Sequence, residues 1–170
     1  MLVEAGLVLP ILLVFLFGVV DFGFVFNDWI SVRQGARDGM RQAIVNTTPV
    51  ASGGGTWSCP TPDGFNGTAP TAGSDAMNMV CFTKARVGLD QSKSRVKIYF
   101  TAPFTAGQPV KVCVQYASSS RTGVFSPILN SKVLSTDVES LIEQSQTNMA
   151  PVEEKPLSTG PGWPASCGTL

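Results

Sequence analysis

Two carboxylates, Glu4 and Asp21, stand inside an otherwise uncharged apolar run, LVEAGLVLPILLVFLFGVVDFGFVF, from Leu2 to Phe26. A carboxylate is costly to strip of water, so in such a run it is paired, sits at an interface or serves a function. Glu4 lies near the amino end. There the helix dipole and a terminal amine, its own or a neighbour's, can stabilise it, or it simply marks headgroup level. Asp21 lies roughly 26 Å farther along a helical axis at 1.5 Å per residue. It marks the far interface, or accepts a hydrogen bond or an arginine from an adjacent helix.

The remaining chemistry is sparse. There is no histidine, and 12 basic residues balance 12 acidic ones, which removes imidazole catalysis, histidine-ligated metal and bulk attraction to nucleic acid. Gly53 to Gly55 lack the lysine and strand context of a phosphate-binding loop. Ser118 to Ser120, Asp137 and Glu139 read as loop and strand surface. We therefore expect no enzyme, no cofactor and no metal.

Cys59, Cys81, Cys113 and Cys167 have no CxxC spacing, which argues against zinc and for two disulfides in an exported chain. Of the three connectivities that four cysteines allow, the favoured one joins Cys59 to Cys81, closing a Gly/Pro-rich loop. It also joins Cys113 to Cys167, pinning the tail PLSTGPGWPASCGTL onto a strand. Asn46-Thr47-Thr48 and Asn66-Gly67-Thr68 are candidate glycosylation sites at Asn46 and Asn66.

These groups need elements to position them. As a helix, the 25 residues from Leu2 to Phe26 reach roughly 37 Å, enough for a hydrocarbon core of about 30 Å. A cleaved secretory signal is disfavoured, because no basic stretch precedes the run and no small-x-small site ends it. Beyond Phe26, Trp29, Ile30, Val32, Ala36, Met40, Ala43 and Ile44 recur at mixed steps of three and four, the mark of an amphipathic helix. Arg33, Arg37 and Arg41 then form one basic stripe. A helix from Leu2 to about Val45 is on the order of 66 Å long, more than one bilayer needs. Pro10, with Gly6, Gly18 and Gly23, is expected to bend, locally melt or simply kink its first half.

Residues 46–76 are dominated by Gly, Pro, Ser, Thr and Asn and read as a long surface loop. Val96 to Thr101 and Val110 to Tyr116 alternate with period two and read as strands. Asn78 to Phe82 with Lys84 to Val87 is assigned to an edge strand, Ser126 to Ser131 to a short turn or helix, and Val133 to Ile142 to a further strand. The expected fold is α+β, a long amino-terminal hydrophobic helix packed on a small antiparallel β-sheet. The expected division is a helix of residues 1–45 and a disulfide-bonded β-rich head of residues 46–170.

The run LVEAGLVLPILLVFLFGVVDFG with its continuation SVRQGARDGMRQAIV resembles the TadE/TadG group of type IV pilin-like proteins, subunits and minor subunits of tight-adherence pili. The likeness rests on an early glutamate, Leu-Pro after it, and Asp-Phe-Gly at the far end. It implies a prepilin trimmed by a prepilin peptidase and held in the inner membrane by its helix. Pilus assembly machinery would then build it into an extracellular filament of its own copies on the cell surface. It further implies that Glu4 neutralises the terminal amine of a neighbouring subunit and sets axial register. The assembly residues on this reading are Glu4, Pro10, Asp21, Arg33, Arg37 and Arg41. A minor pilin, or a monomeric membrane-anchored accessory or binding protein, is the alternative. Two positions depart from the family pattern. The glutamate is fourth from Met1 instead of fifth, and Phe24 stands where an arginine often follows Asp-Phe-Gly.

Overall fold

One helix, α1, runs unbroken from Leu2 to Ile44, 43 residues, or about 64 Å at the standard rise. The computed structural model describes residues 2–45, 57–71, 73–101, 103–130, 132–145, 149–158 and 162–168, with backbone alone for residues 2–5. Pro10 sits inside α1 without ending it. The local melting expected between Gly6 and Gly23 does not occur, since proline removes a single amide donor and strong helix formers such as Leu7, Leu9, Leu12 and Leu13 flank it.

The second element corrects the sequence reading. Asn78 to Phe82 and Lys84 to Val87, expected as an edge strand, belong to a helix, α2, spanning Asp75–Val87. Its end signals outweigh the short apolar alternation. The Ser74 hydroxyl accepts the Met77 amide at 3.3 Å, Asp75 opens the first turn, and Lys84 and Arg86 occupy the last. Gly88, at φ 69°, closes the helix in the left-handed conformation that glycine adopts without strain. Ala76, Met79, Val80 and Val87 then fall on one buried face.

Four strands follow: β1 (Ser94–Phe100), β2 (Pro109–Ala117), β3 (Val133–Leu141) and the two-residue β4 (Val152–Glu153). They form one antiparallel sheet in the order β3-β2-β1-β4. A short helix, α3 (Ser126–Leu129), lies in the β2–β3 connection. The fold is therefore α+β, as expected. β4 carries no periodicity that two residues could display; its partners Ile98 and Lys97 on β1 define it.

The two faces of the sheet are covered differently. On one, Val96, Ile98, Phe100, Val110, Val112, Val114 and Tyr116 join a single core with Val32, Ala36, Met40 and Ala43 of α1 and the apolar face of α2. Each Val, Ile, Phe or Met among them contributes about 1.5–3 kcal/mol when fully removed from water. On the other, the carboxyl-terminal tail lies over β2. Lys111 Nζ donates to Ser166 O at 2.8 Å and Gln115 Nε2 to Gly162 O at 2.6 Å. The Cys113–Cys167 disulfide lies in the same layer. Cys59 bonds Cys81, so the favoured connectivity is the one in the structure.

Candidate functional site

α1 is built into two environments. From Val32 onward one side is sealed in the core, whereas Leu7 to Phe17 stands clear of the rest of the chain, with Phe15 and Val19 each 73% exposed. This helix is long and apolar enough to cross a membrane. An apolar face of this extent on a chain that also has a packed core marks a surface meant for lipid or partner helices.

Between the two environments lies Asp21. Its carboxylate is buried and receives four hydrogen bonds from the β2–β3 connection. Ser120 Oγ donates to Oδ2 at 2.7 Å and Thr122 Oγ1 to the same oxygen at 2.6 Å. The Arg121 and Thr122 amides donate to Oδ1 at 3.1 and 2.9 Å. The partner is thus a loop of the same chain, where a neighbouring helix or its arginine was one expectation. Arg121 contributes its backbone, and its side chain is exposed. A carboxylate saturated by donors in this way remains an acceptor without needing a cation.

The same loop holds itself in shape. Ser120 N donates to Asn130 Oδ1 at 2.9 Å, and Gly123 N to Ser120 Oγ at 3.0 Å. Immediately beyond, Phe125 reaches α1 one turn nearer the amino end than Asp21. A Cβ at Gly18 would meet its ring at 3.4 Å, and its centroid is 6.4 Å from that of Phe22. Val14, Phe15, Gly18, Val19, Phe22 and Phe125 line an apolar groove there.

Farther along α1, Arg33 sits over the Trp29 ring at 4.7 Å from its centroid, and Arg33, Arg37 and Arg41 are all exposed. The opposite side carries Gly35 and Gly39, which the sequence reading did not single out. A Cβ at Gly35 would lie 2.7 Å from the Val87 backbone, and one at Gly39 would lie 2.9 Å from Thr83 Cγ2. α1 and α2 meet backbone to backbone along this seam. The spacing Gly-x-x-x-Gly was the available signal.

A second feature that sequence missed is an ion pair excluded from solvent. Lys84 Nζ and Glu154 Oε1 are 2.6 Å apart with both side chains 0% exposed. Lys84 also donates to Pro60 O at 2.8 Å, and the Val96 amide donates to Glu154 Oε2 at 2.7 Å. Burial pushes Glu154 above and Lys84 below their ordinary values, opposed in each case by the partner's charge. Every charged atom of the pair is engaged, as a buried charge requires. Arg95 and Asp63 form a further pair beside it.

The other expected site residues divide plainly. Pro10 lies in the exposed apolar half of α1. The Glu4 side chain and Asn46 lie outside the described residues. Asn66 is exposed, and its Nδ2 donates to Glu153 Oε1 at 2.8 Å, so a glycan on that nitrogen would have to displace this bond. Among the described residues, no three Cys, Asp or Glu side chains gather to hold a metal.

A family model described as TadE-like protein matches residues 1–41, the stretch that carries the exposed apolar surface, Asp21 and the arginine stripe. The family is pilus-associated and structural, not enzymatic. No curated protein and no solved structure matches the chain.

Proposed function

We propose that this chain, TadE-like over residues 1–41, is a structural subunit of an extracellular type IV-like filament. The apolar half of α1 first holds it in the inner membrane and is later bundled with α1 of other copies. One observation carries the reading. The same continuous helix is half sealed in a folded core and half bare, and the bare half is the apolar one. A helix apolar on every side needs a surround of lipid or other helices. Lipid already satisfies most of that demand, so transfer into a filament depends on close packing, ion pairs and an assembly motor.

On this reading residues 1–45 are anchor and filament core, and residues 46–170 form the outer head. Glu4 meets a neighbour's terminal amine, Pro10 and Asp21 shape the packed helix, and Arg33, Arg37 and Arg41 face adjoining subunits. A prepilin peptidase and the pilus machinery are the processing partners.

Negative-stain microscopy of sheared surface material, joined to mass spectrometry, tests the proposal. An abundant fibre made mainly of this chain is the expected result. Recovery only from membranes, or as a trace component of another fibre, overturns it in favour of an accessory protein or a minor subunit.

A further inference from the structure

We propose that the β2–β3 connection is a membrane-contact surface. While α1 spans the bilayer, Val124, Phe125 and Ile128 enter the interfacial layer of lipid and Arg121 stands among the headgroups. The inference rests on the membrane-held state of the function proposed above and adds a second lipid contact, made by the head.

Axial height is the first argument. The uncharged helical run is bounded by Glu4 and Asp21, which lie about 26 Å apart along the axis at 1.5 Å per residue, against a hydrocarbon core of about 30 Å. Asp21 therefore falls at the outer border of the core. Its four hydrogen bonds tie Ser120, Arg121 and Thr122 to that same level. The head cannot stand off from the membrane while they persist.

Depth is the second. Phe125 packs at Gly18, three residues below Asp21, or about 4.5 Å farther into the bilayer. An interfacial apolar group typically sits about 5–10 Å into the headgroup and acyl boundary. Beside Phe125, Val124 is 47% and Ile128 58% exposed. Among the described residues of the head, the one other large exposed apolar side chain is Leu141, at the opposite end of β3.

Backbone satisfaction is the third. Irregular chain is excluded from lipid unless its polar groups are met internally. Here the amides of Ser120, Arg121, Thr122, Gly123 and Val124 each have a side-chain acceptor. The amides of Ser126, Ile128 and Leu129 donate to Gly123 O and Phe125 O. Val124, Pro127 and Ile128 are exposed together at the tip, with the exposed Arg121 and Asn130 at its margins. Through Phe125 this apolar patch is continuous with the groove of Val14, Phe15, Val19 and Phe22, which faces lipid when α1 spans, and that continuity selects lipid as the occupant.

The test places the photoreactive residue p-benzoylphenylalanine at Ile128, Val14 or Glu143 in the full chain. Each variant is reconstituted into phosphatidylcholine vesicles with a minor share of phosphatidylglycerol, irradiated and analysed by mass spectrometry. All three side chains are exposed, so the head folds in each. Glu143, whose amide bonds Ile44 O at 3.2 Å, lies at the far end of α1. Lipid adducts at both Ile128 and Val14, and none at Glu143, are expected. Adducts at Val14 alone overturn the inference and leave the span intact. A protein crosslink between copies at Ile128 overturns it in favour of a subunit interface. Adducts at neither position overturn the span reading, and this inference with it.

Discussion

Thr122 Oγ1 donates to Asp21 Oδ2 at 2.6 Å across 101 positions of sequence, and through this carboxylate the head grips its helix where the apolar half begins. The grip uses the loop's own donors, two hydroxyls and two amides, so no free charge is needed from elsewhere. It is a second attachment of the head to α1, beyond the core that Val32, Ala36, Met40 and Ala43 share with the sheet and α2.

Replacing Asp21 by alanine leaves those four donors without their acceptor. Amide hydrogen exchange of residues 120–124 is expected to accelerate strongly, while amides of β1 and β2 keep their wild-type protection, because the core is built from other residues. Asp21→Asn should fall between, since its carbonyl still accepts both amides and the hydroxyls can turn to accept from its NH2. Unchanged exchange at Thr122 in the alanine variant would show that the carboxylate does not hold the loop.

Gly35→Ala is expected to destabilise by about 1–3 kcal/mol through overpacking, although alanine is the better helix former by about 1 kcal/mol. The added methyl would sit 2.7 Å from the Val87 backbone, which cannot rotate away. Gly39→Ala should cost less, because its obstruction is the Thr83 side chain, and Gly39→Ala with Thr83→Ala should recover most of the loss. Denaturant melts of the three variants rank them, and a stabilised Gly35→Ala refutes the close-packed seam.

Lys84→Met is expected to cost on the order of 3–5 kcal/mol at neutral pH, since it strands a buried carboxylate. Its pH dependence follows from Glu154. Burial raises that group in the folded state above the ordinary 4.5, so its contribution to stability is present below 4.5 and is lost as pH climbs through the raised value. Losing Lys84 raises it further. The deficit of the variant relative to wild type should therefore shrink as pH falls from neutral toward 4.5. A deficit constant across that window argues against an ionised Glu154.

Removing the Cys113–Cys167 bond should cost more than removing Cys59–Cys81. With separations of 54 and 22 residues, the chain-entropy account gives about 4 and about 3 kcal/mol. Paired serine substitutions, followed by thermal melts, test the order. The first pair should also admit protease to residues 155–158 and 162–168, because hydrogen bonds such as those of Lys111, Gln115 and Asp137 then hold the tail without a covalent tie.

Much of this architecture was legible locally. The apolar run and the step of three and four marked α1 through Ile44, and period-two alternation marked β1 and β2 and, less cleanly, β3, because burial on one face leaves a repeat in the chain. α2 was misread because Met79 to Phe82 is a short apolar run that both periods accommodate. Ser74 and Gly88, its caps, were the better guide. Asp21 stood out as an anomaly, yet its partners, Ser120 to Thr122, are ordinary loop residues about a hundred positions away, with no pattern that points back to α1.

Residue type and order alone determined that this chain has an apolar helix too long for one bilayer and a β-rich remainder, because periodicity and composition are properties of neighbouring residues. Only the tertiary structure decided where that helix leaves its own protein. It set Asp21 under a distant loop, Gly35 against Val87 and Lys84 against Glu154, because contacts between remote segments depend on how the sheet and both helices stack, which no local repeat encodes.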